Sequence, residues 1–309
     1  MRTAFIDTLC ELAEQDERIW LLTGDLGYSI LERFANRFPS RYVNVGVAEQ
    51  NMTGVAAGLA LCGKVVFTYS IANFPTLRCL EQIRNDVCYH NLSVKIVAVG
   101  GGFAYGTQGM THHATEDLAI MRALPNMTVI APGDPVETRL ATRAIVNRPG
   151  PCYLRLGKAG EPVVHQAPPA FTIGKAITVR EGSSVTLIST GGMLHNALQA
   201  AELLTQQRIQ ARVLSMHTLK PLDSETALAA ARETGAIVTI EEHSVSGGLG
   251  SAVAQILAEL PTRDIRFRSL GIPDMFMNIG SQEYLRALCR LTPHAISTMV
   301  CDMLASDVE

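Results

Sequence analysis

The chain has 309 residues, long enough for two domains that each close a core. Apolar residues make up 47% and charged residues 18%, which excludes a disordered chain, and a net charge of −3 with both signs interspersed argues against a nucleic-acid or anionic-membrane partner. No apolar run approaches a membrane span, and the N-terminal stretch carries acids inside its periodic pattern, unlike a secretory or transit leader; the seven scattered cysteines, without a CxxC, read as reduced core thiols of a cytoplasmic protein.

Short β-branched runs alternate with longer amphipathic ones. In chain order the pattern predicts a helix over 3–13, a strand over 19–23, helices over 30–37 and 48–61, and a strand over 65–68. A helix over 77–89, a strand over 94–99, a helix over 117–123, a strand over 128–130, a helix over 135–146 and a strand over 152–156 follow. Such alternation implies a mostly parallel sheet covered on both faces. Residues 157–162 and 166–170 form the only proline-rich stretch of any length and read as a linker. The alternation then restarts, with strands over 185–190, 211–215, 236–240 and 266–270 and helices over 194–206, 224–233, 250–260, 281–289 and 293–304. The expected fold is α/β in two domains, at 1–160 and 171–309.

Glu49 poses the first chemical question. It is the one acid between Tyr42 and Leu61, in a helix whose Gly54, Ala56, Ala57, Gly58 and Ala60 leave room for another helix to approach. A buried acid is costly unless something pairs with it. The plain alternative is a first-turn carboxylate that offsets the helix dipole, and Gly54-x-x-x-Gly58 reads as simple helix packing.

The loop 100–117 follows a strand and precedes a helix, where open α/β sheets place ligands. Its glycines fall at 100, 101, 102, 106 and 109, with no GxGxxG and no GK[ST] after them. Thr111, His112 and His113 near its end are functional candidates by position; the alternative is that the two histidines cap the following helix, one ring exposed and the other half-buried. No acid or cysteine stands at ligand spacing from them, so no metal site is read here. In GDLGYS, Asp25 and Ser29 sit at another strand end, where Asp25 is equally a turn former. Phe74 and Arg78 stand at or before the helix start at a fourth.

These features converge on one sheet edge, and together they resemble a family, the transketolases, above all the C-terminal chain of split transketolases. The resemblance covers nearly the whole chain. It is carried by DLxxS (Asp25, Leu26, Ser29), NVGVAEQNMxGxAAGLA from Asn44 to Ala60, the helix bearing Phe74, Arg78, Glu81 and Gln82, GxxxxGxxGxTHxxxED from Gly101 to Asp117, LPNMTVIAPGDPVE from Leu124 to Glu137, and VTIEEHSVSGGLGSAV from Val238 to Val253. It implies a parallel-sheet domain that binds the pyrimidine of thiamine diphosphate, followed by a transketolase C-terminal domain, in an enzyme that transfers a two-carbon ketol unit between sugars.

The implied roles follow residue by residue. Glu49 hydrogen-bonds N1′ of the aminopyrimidine and shares its proton, which favours the imino form at the 4′ position. Phe74 stacks on that ring, with Ile71 and Arg78 as further cofactor contacts. His112 stands at the reaction centre, and with Glu49 is the catalytic pair. Arg2, Asp25, Ser29, Tyr105, Gln108, His113 and Lys158 are the implied substrate contacts. The family holds the diphosphate and Mg²⁺ with a GDG and downstream asparagines on a separate domain. This sequence has no GDG, and GDLG at 24–27 lacks those asparagines. The resemblance therefore implies an N-terminal partner subunit that holds Mg²⁺, in an α2β2 heterotetramer, with no metal on this chain.

The sequence also departs from the family. Lys158 replaces an arginine that contacts the substrate phosphate, keeping charge without the bidentate fork. Gly100 replaces a histidine, and Thr107-Gln108 replaces Glu-Asp, which implies a specialised sugar. The alternatives are the β chain of a 2-oxo acid dehydrogenase, an enzyme resembling deoxyxylulose-phosphate synthase, and a non-catalytic interaction module of the same fold.

Overall fold

The computed structural model describes residues 1–260 and 265–305. The first half runs α1 (Arg2–Gln15), β1 (Ile19–Thr23), α2 (Glu32–Arg37), β2 (Tyr42–Asn44), α3 (Glu49–Leu61), β3 (Val65–Ile71), the one-turn α4 (Leu80–Gln82), β4 (Val94–Val99), α5 (Asp117–Ala123), β5 (Thr128–Ile130), α6 (Pro135–Val146) and β6 (Cys152–Leu156). The second runs β7 (Ile177–Arg180), β8 (Val185–Ser189), α7 (Leu194–Gln206), β9 (Ala211–Ser215), β10 (Thr218–Lys220), α8 (Ser224–Thr234), β11 (Ala236–Ser244), α9 (Leu249–Ala258), β12 (Arg266–Ile272), α10 (Gln282–Leu288) and α11 (Pro293–Ala305). The last four residues of the expected second domain lie outside the described residues.

The two-sheet α/β reading holds. One sheet is ordered β10-β5-β6-β4-β3-β1-β2 and the other β12-β11-β8-β9-β7. All neighbours are parallel except β10 on β5 and β7 on β9. The strands of the first sheet's centre are buried along nearly their whole length because helices cover both faces. On one side, Phe5, Ile6, Leu9 and Ala13 of α1 pack with Leu21, Phe67 and Val97; on the other, Met52, Ala56 and Ala57 of α3 pack with Leu22, Val66 and Ile96.

Three strands go unpredicted: β2, β7 and β10. Each is only three or four residues long, too short for a periodicity to register, and each is defined by its pairing. β10 carries the largest consequence, because a strand from the second half of the chain closes the edge of the first sheet. Lys220 fastens it there, its Nζ donating to the carbonyls of Arg122 (2.9 Å) and Leu124 (2.5 Å). The helix expected over 77–89 is instead a run of π turns, Phe74–Arg78 and Ile83–Cys88, on either side of α4. The strand expected over 236–240 continues to Ser244, which carries Glu241 and Glu242 into the interior.

Two readings of α3 and the cysteines are corrected. Gly54 and Gly58 face outward, and a Cβ on either would meet nothing within 4 Å, so no described helix of this chain packs on that spacing. All seven cysteines are free, but Cys62 at the end of α3 is exposed and Cys301 only half-buried, so they are not uniformly core thiols.

The connecting segment after β6 is tied down along its course. The N–H groups of Val164 and His165 donate to Asp134 Oδ2 (2.9 and 3.0 Å), His165 Nε2 lies 2.8 Å from Glu137, and Phe171 stacks on His217 at 4.0 Å. A buried polar network joins the two halves. Arg155 of β6 donates to both oxygens of Asp117 (2.8 and 3.1 Å), to the Ala114 carbonyl (2.8 Å) and to the Glu242 carbonyl (3.0 Å). The Glu242 carboxylate accepts from the Phe103 N–H (2.6 Å), Gln282 Nε2 (2.9 Å) and Arg286 Nε (2.6 Å). Among the described residues no helix is long and apolar enough to cross a membrane.

Candidate active site

β1 lies between β2 and β3, so successive connections leave it in opposite directions, and a crevice opens at the carboxyl end of the sheet there. The chain delivers its candidate residues to this edge one strand end at a time. Gly24 and Asp25 follow β1, Glu49 follows β2, Ile71 ends β3, Gly100 follows β4 and Lys158 follows β6.

Glu49 opens α3 and is 1% exposed. Its partner in this chain is Arg78, whose Nη1 donates to Glu49 Oε2 at 2.6 Å. The arginine is available because the π turn Phe74–Arg78 is wide enough to bring residues four apart together, and the guanidinium rests 4.7 Å from the Phe74 ring centroid. One stack thus links a buried carboxylate, a cation and an aromatic face. The turn after β1 lies against the acid: a Cβ on Gly24 would stand in ordinary contact, 3.5 Å from the Glu49 carboxyl carbon.

The loop between β4 and α5 presents His112. Its ring meets Phe74 edge-on at 5.2 Å, and its Nδ1 lies 3.0 Å from Thr111 Oγ1. Asn73 Nδ2 donates to the Thr111 carbonyl at 2.7 Å, which ties the loop to the π turn. Burial, and next the neighbouring His113, lower the pKa of His112 below its ordinary value, which leaves the ring neutral at neutral pH. His113 turns inward instead. It is buried, with Nε2 3.2 Å from the Gly106 carbonyl and its ring against the edge of Phe103 at 5.3 Å. Neither histidine caps α5; that contact comes from the second half of the chain, where His243 Nε2 accepts the Ala119 N–H at 3.2 Å.

Arg2, Ile71, Tyr105, Gln108 and Lys158 line a cleft of about 350 Å³ together with Tyr28 and Tyr69. Arg2 Nε donates to the Lys158 carbonyl, and Lys158 Nζ sits 4.7 Å from the Tyr105 ring centroid. Two cations therefore meet at one end of the crevice. Asp25 and Ser29 stand outside this cleft, in a turn where both adopt left-handed backbone (φ 57° and 65°). Asp25 accepts from Asn44 Nδ2 (3.0 Å) and the Tyr28 hydroxyl (3.1 Å), while the Ser29 N–H donates to Glu32 Oε1 (2.9 Å).

A second cavity, about 520 Å³, adjoins Phe74 and Arg78 and is walled by Leu77, Phe103, Met110 and Phe276. A buried acid, an aromatic face and apolar walls suit a flat heteroaromatic ring that carries a basic nitrogen. Among the described residues no group of three or more His, Cys, Asp and Glu could hold a metal ion.

The network behind the loop is not legible in the sequence: Asp117 enters there as a helix start and the end of the loop motif, with no partner, and neither Arg155 nor Glu242 stands out. The available signal is Arg155 itself, a lone cation in the apolar strand CYLRL that burial obliges to find an acid.

Comparison with known proteins agrees with this geometry. Residues 1–160 match the transketolase pyrimidine binding domain and residues 174–296 the transketolase C-terminal domain. The chain is 43% identical over 275 residues to one of the subunits of an apulose-4-phosphate transketolase of Phocaeicola vulgatus, covering 88% of this chain and 87% of that protein. It is 42% identical over 297 residues to a 6-deoxy-6-sulfo-D-fructose transketolase subunit of a Clostridium species, covering 96% and 92%. A 1-deoxy-D-xylulose-5-phosphate synthase of Geobacter sulfurreducens is 39% identical over 92% of this chain, which spans only 45% of that protein. Among solved structures, one described as a split gene transketolase, inactive beta4 tetramer, superposes with a TM-score of 0.91 at 41% identity, covering 98% of this chain and 97% of that one.

Proposed function

The chain belongs to the transketolase family, and on that premise we propose that it is the C-terminal subunit of a split, thiamine-diphosphate-dependent transketolase that moves a two-carbon ketol unit between sugars bearing a terminal anion. The observation that carries the reading is the buried Glu49 carboxylate beside the Phe74–Arg78 pair, at the sheet edge that also receives His112. The bond to Arg78 uses one carboxylate oxygen, Oε2. Thiamine diphosphate, when bound, supplies the carbanion chemistry of ketol transfer. Glu49 is suited to hold a proton at its carboxylate against a ring nitrogen, Phe74 offers a face for stacking with Ile71 and Arg78 flanking it, and neutral His112 exchanges a proton with the substrate.

Arg2 and Lys158 are the cations for the substrate's charged end, with Ser29 and Asp25 at the rim, Gln108 toward a sugar hydroxyl, and His113 supporting the loop from behind. The relatives named above carry a phosphate or a sulfo group in the sugars of their names, which supports an anionic substrate here. Gly100 and Gln108 stand where the family carries an imidazole and a carboxylate, which favours a specialised sugar over the standard set. The domain assignment within this reading is 1–160 for the pyrimidine-binding part and 171–309 for the C-terminal part, and the free cysteines suit a cytoplasmic protein.

Among the described residues nothing in the crevice supplies a diphosphate and Mg²⁺ site of the family's GDG type, so both fall to an N-terminal partner subunit, in an α2β2 assembly. The structural neighbour described as an inactive tetramer of β chains supports that dependence. Calorimetric titration of thiamine diphosphate with Mg²⁺ is expected to show weak binding to this chain alone and tight binding once the partner is mixed in. Tight binding to the isolated chain contradicts the two-subunit reading.

A further inference from the structure

Tyr105, half-buried, is laid directly on the backbone that follows β4. Gly100, directly after β4, has left-handed backbone (φ +87°), and a Cβ there would come within 2.2 Å of two carbons of the Tyr105 ring. The ring therefore occupies the volume in which any side chain at position 100 would lie. Glycine at 100 and tyrosine at 105 are a single device: the backbone gives up a side chain so that an aromatic ring from the next turn can be laid in its place.

The position of that ring matters more than its burial. The Lys158 ammonium stands 4.7 Å from its centroid, and Arg2 is tied to the Lys158 carbonyl. The ring of His112 lies 6.3 Å from it, itself in contact with Phe74. Tyr105 thus adjoins both His112 and the cationic pair, and it lines the cleft that holds Arg2 and Lys158 with Gln108 and Tyr69. An aromatic wall with few rotatable bonds, packed against the Gly100 backbone and in contact with a cation, is a fixed boundary.

Building on the ketol-transfer reading, we propose that Tyr105 is a specificity-determining residue that sets the length of the sugar: it limits how many carbons fit between the carbon reacting beside His112 and the anionic terminus held by Arg2 and Lys158. The substrate class is a short-chain, terminally anionic sugar. A pocket tuned in this way discriminates about tenfold or more for each carbon added or removed.

The test uses the complex of this chain with its N-terminal partner, one common ketose donor, and three acceptors: D-glyceraldehyde 3-phosphate, D-erythrose 4-phosphate and D-ribose 5-phosphate. The readout is the ratio of kcat/KM for the five-carbon acceptor to that for the three-carbon one. Tyr105→Ala is expected to raise this ratio about tenfold, Tyr105→Leu to raise it less, and Tyr105→Phe, which keeps the ring, to leave it within about twofold. A ratio for Tyr105→Ala within twofold of the parent overturns the proposal. So does loss of all turnover in both Tyr105→Ala and Tyr105→Leu, since a length boundary is not needed for the shortest acceptor. A separate arm addresses the underlying reading: Lys158→Met should erode the preference for D-erythrose 4-phosphate over D-erythrose. If it does not, the anion site is wrong whatever Tyr105 does.

Discussion

Replacing Glu49 with glutamine lowers turnover of the reconstituted complex by about 10²–10⁴-fold and leaves the fold in place. Glutamine keeps the volume of a side chain that is 1% exposed, and its carbonyl still accepts from Arg78. What it cannot do is hold a proton against a basic ring nitrogen. The stability change is small for two opposing reasons. The buried charge, which is costly to desolvate, disappears, and the ion pair lost with it involves a guanidinium that is 45% exposed and screened, so the net change is under about 1 kcal/mol. If Glu49 served only the helix dipole, the variant would keep its activity. Steady-state kinetics beside a thermal melt separates the two outcomes.

Asp117→Ala has the opposite signature, a large loss of stability. Asp117 and Arg155 are 2% and 6% exposed, and the guanidinium is held by both carboxylate oxygens. Burial works against the charge on Arg155; the paired acid outweighs it and holds its pKa above the ordinary value. Removing Asp117 strands that charge in the interior and also deprives the Tyr153 hydroxyl of an acceptor at 2.7 Å. Loss of one partner from such a pair costs about 3–5 kcal/mol. Because Arg155 also bonds the carbonyls of Ala114 and Glu242, the damage reaches the neck of the His112 loop and the junction of the two sheets. Asp7→Ala, which removes an exposed partner of Arg33, is the control and should change stability by no more than about 0.5 kcal/mol. Denaturant unfolding of the three proteins checks the contrast; equal midpoints for Asp117→Ala and the parent contradict it.

The convergence of the site was legible before the fold was known, because a parallel sheet leaves little choice. Every strand that is followed by a crossover ends on the same edge, so Asp25, Ile71, Gly100 and Lys158 had to approach one another once their strands were recognised, whereas the short β2 that delivers Glu49 escaped the pattern. The partner of Glu49 was less accessible. Arg78 lies 29 residues away, and it meets the acid through a π turn, which a periodicity argument cannot distinguish from an ordinary helix start. β10 was hidden for a different reason: three residues that belong to the first sheet occur in the second half of the chain, and only their pairing with β5 defines them. The bond from Phe103 to Glu242 spans 139 residues, and no local pattern encodes it. Glycine spacing misled in the other direction, since Gly54 and Gly58 suggested a packed helix and instead face outward.

Two-carbon ketol transfer at a site completed by a second chain is tested most directly by carbon tracing in the reconstituted complex: a ketose phosphate labelled with ¹³C at C1 and C2 is supplied with an unlabelled aldose phosphate, and the products are read by NMR. The two labelled carbons are expected to appear together, still bonded, at C1 and C2 of a new ketose, and neither chain alone is expected to give this product. Transfer of label only from pyruvate, to a lipoyl carrier or to glyceraldehyde 3-phosphate with loss of carbon dioxide, would contradict it.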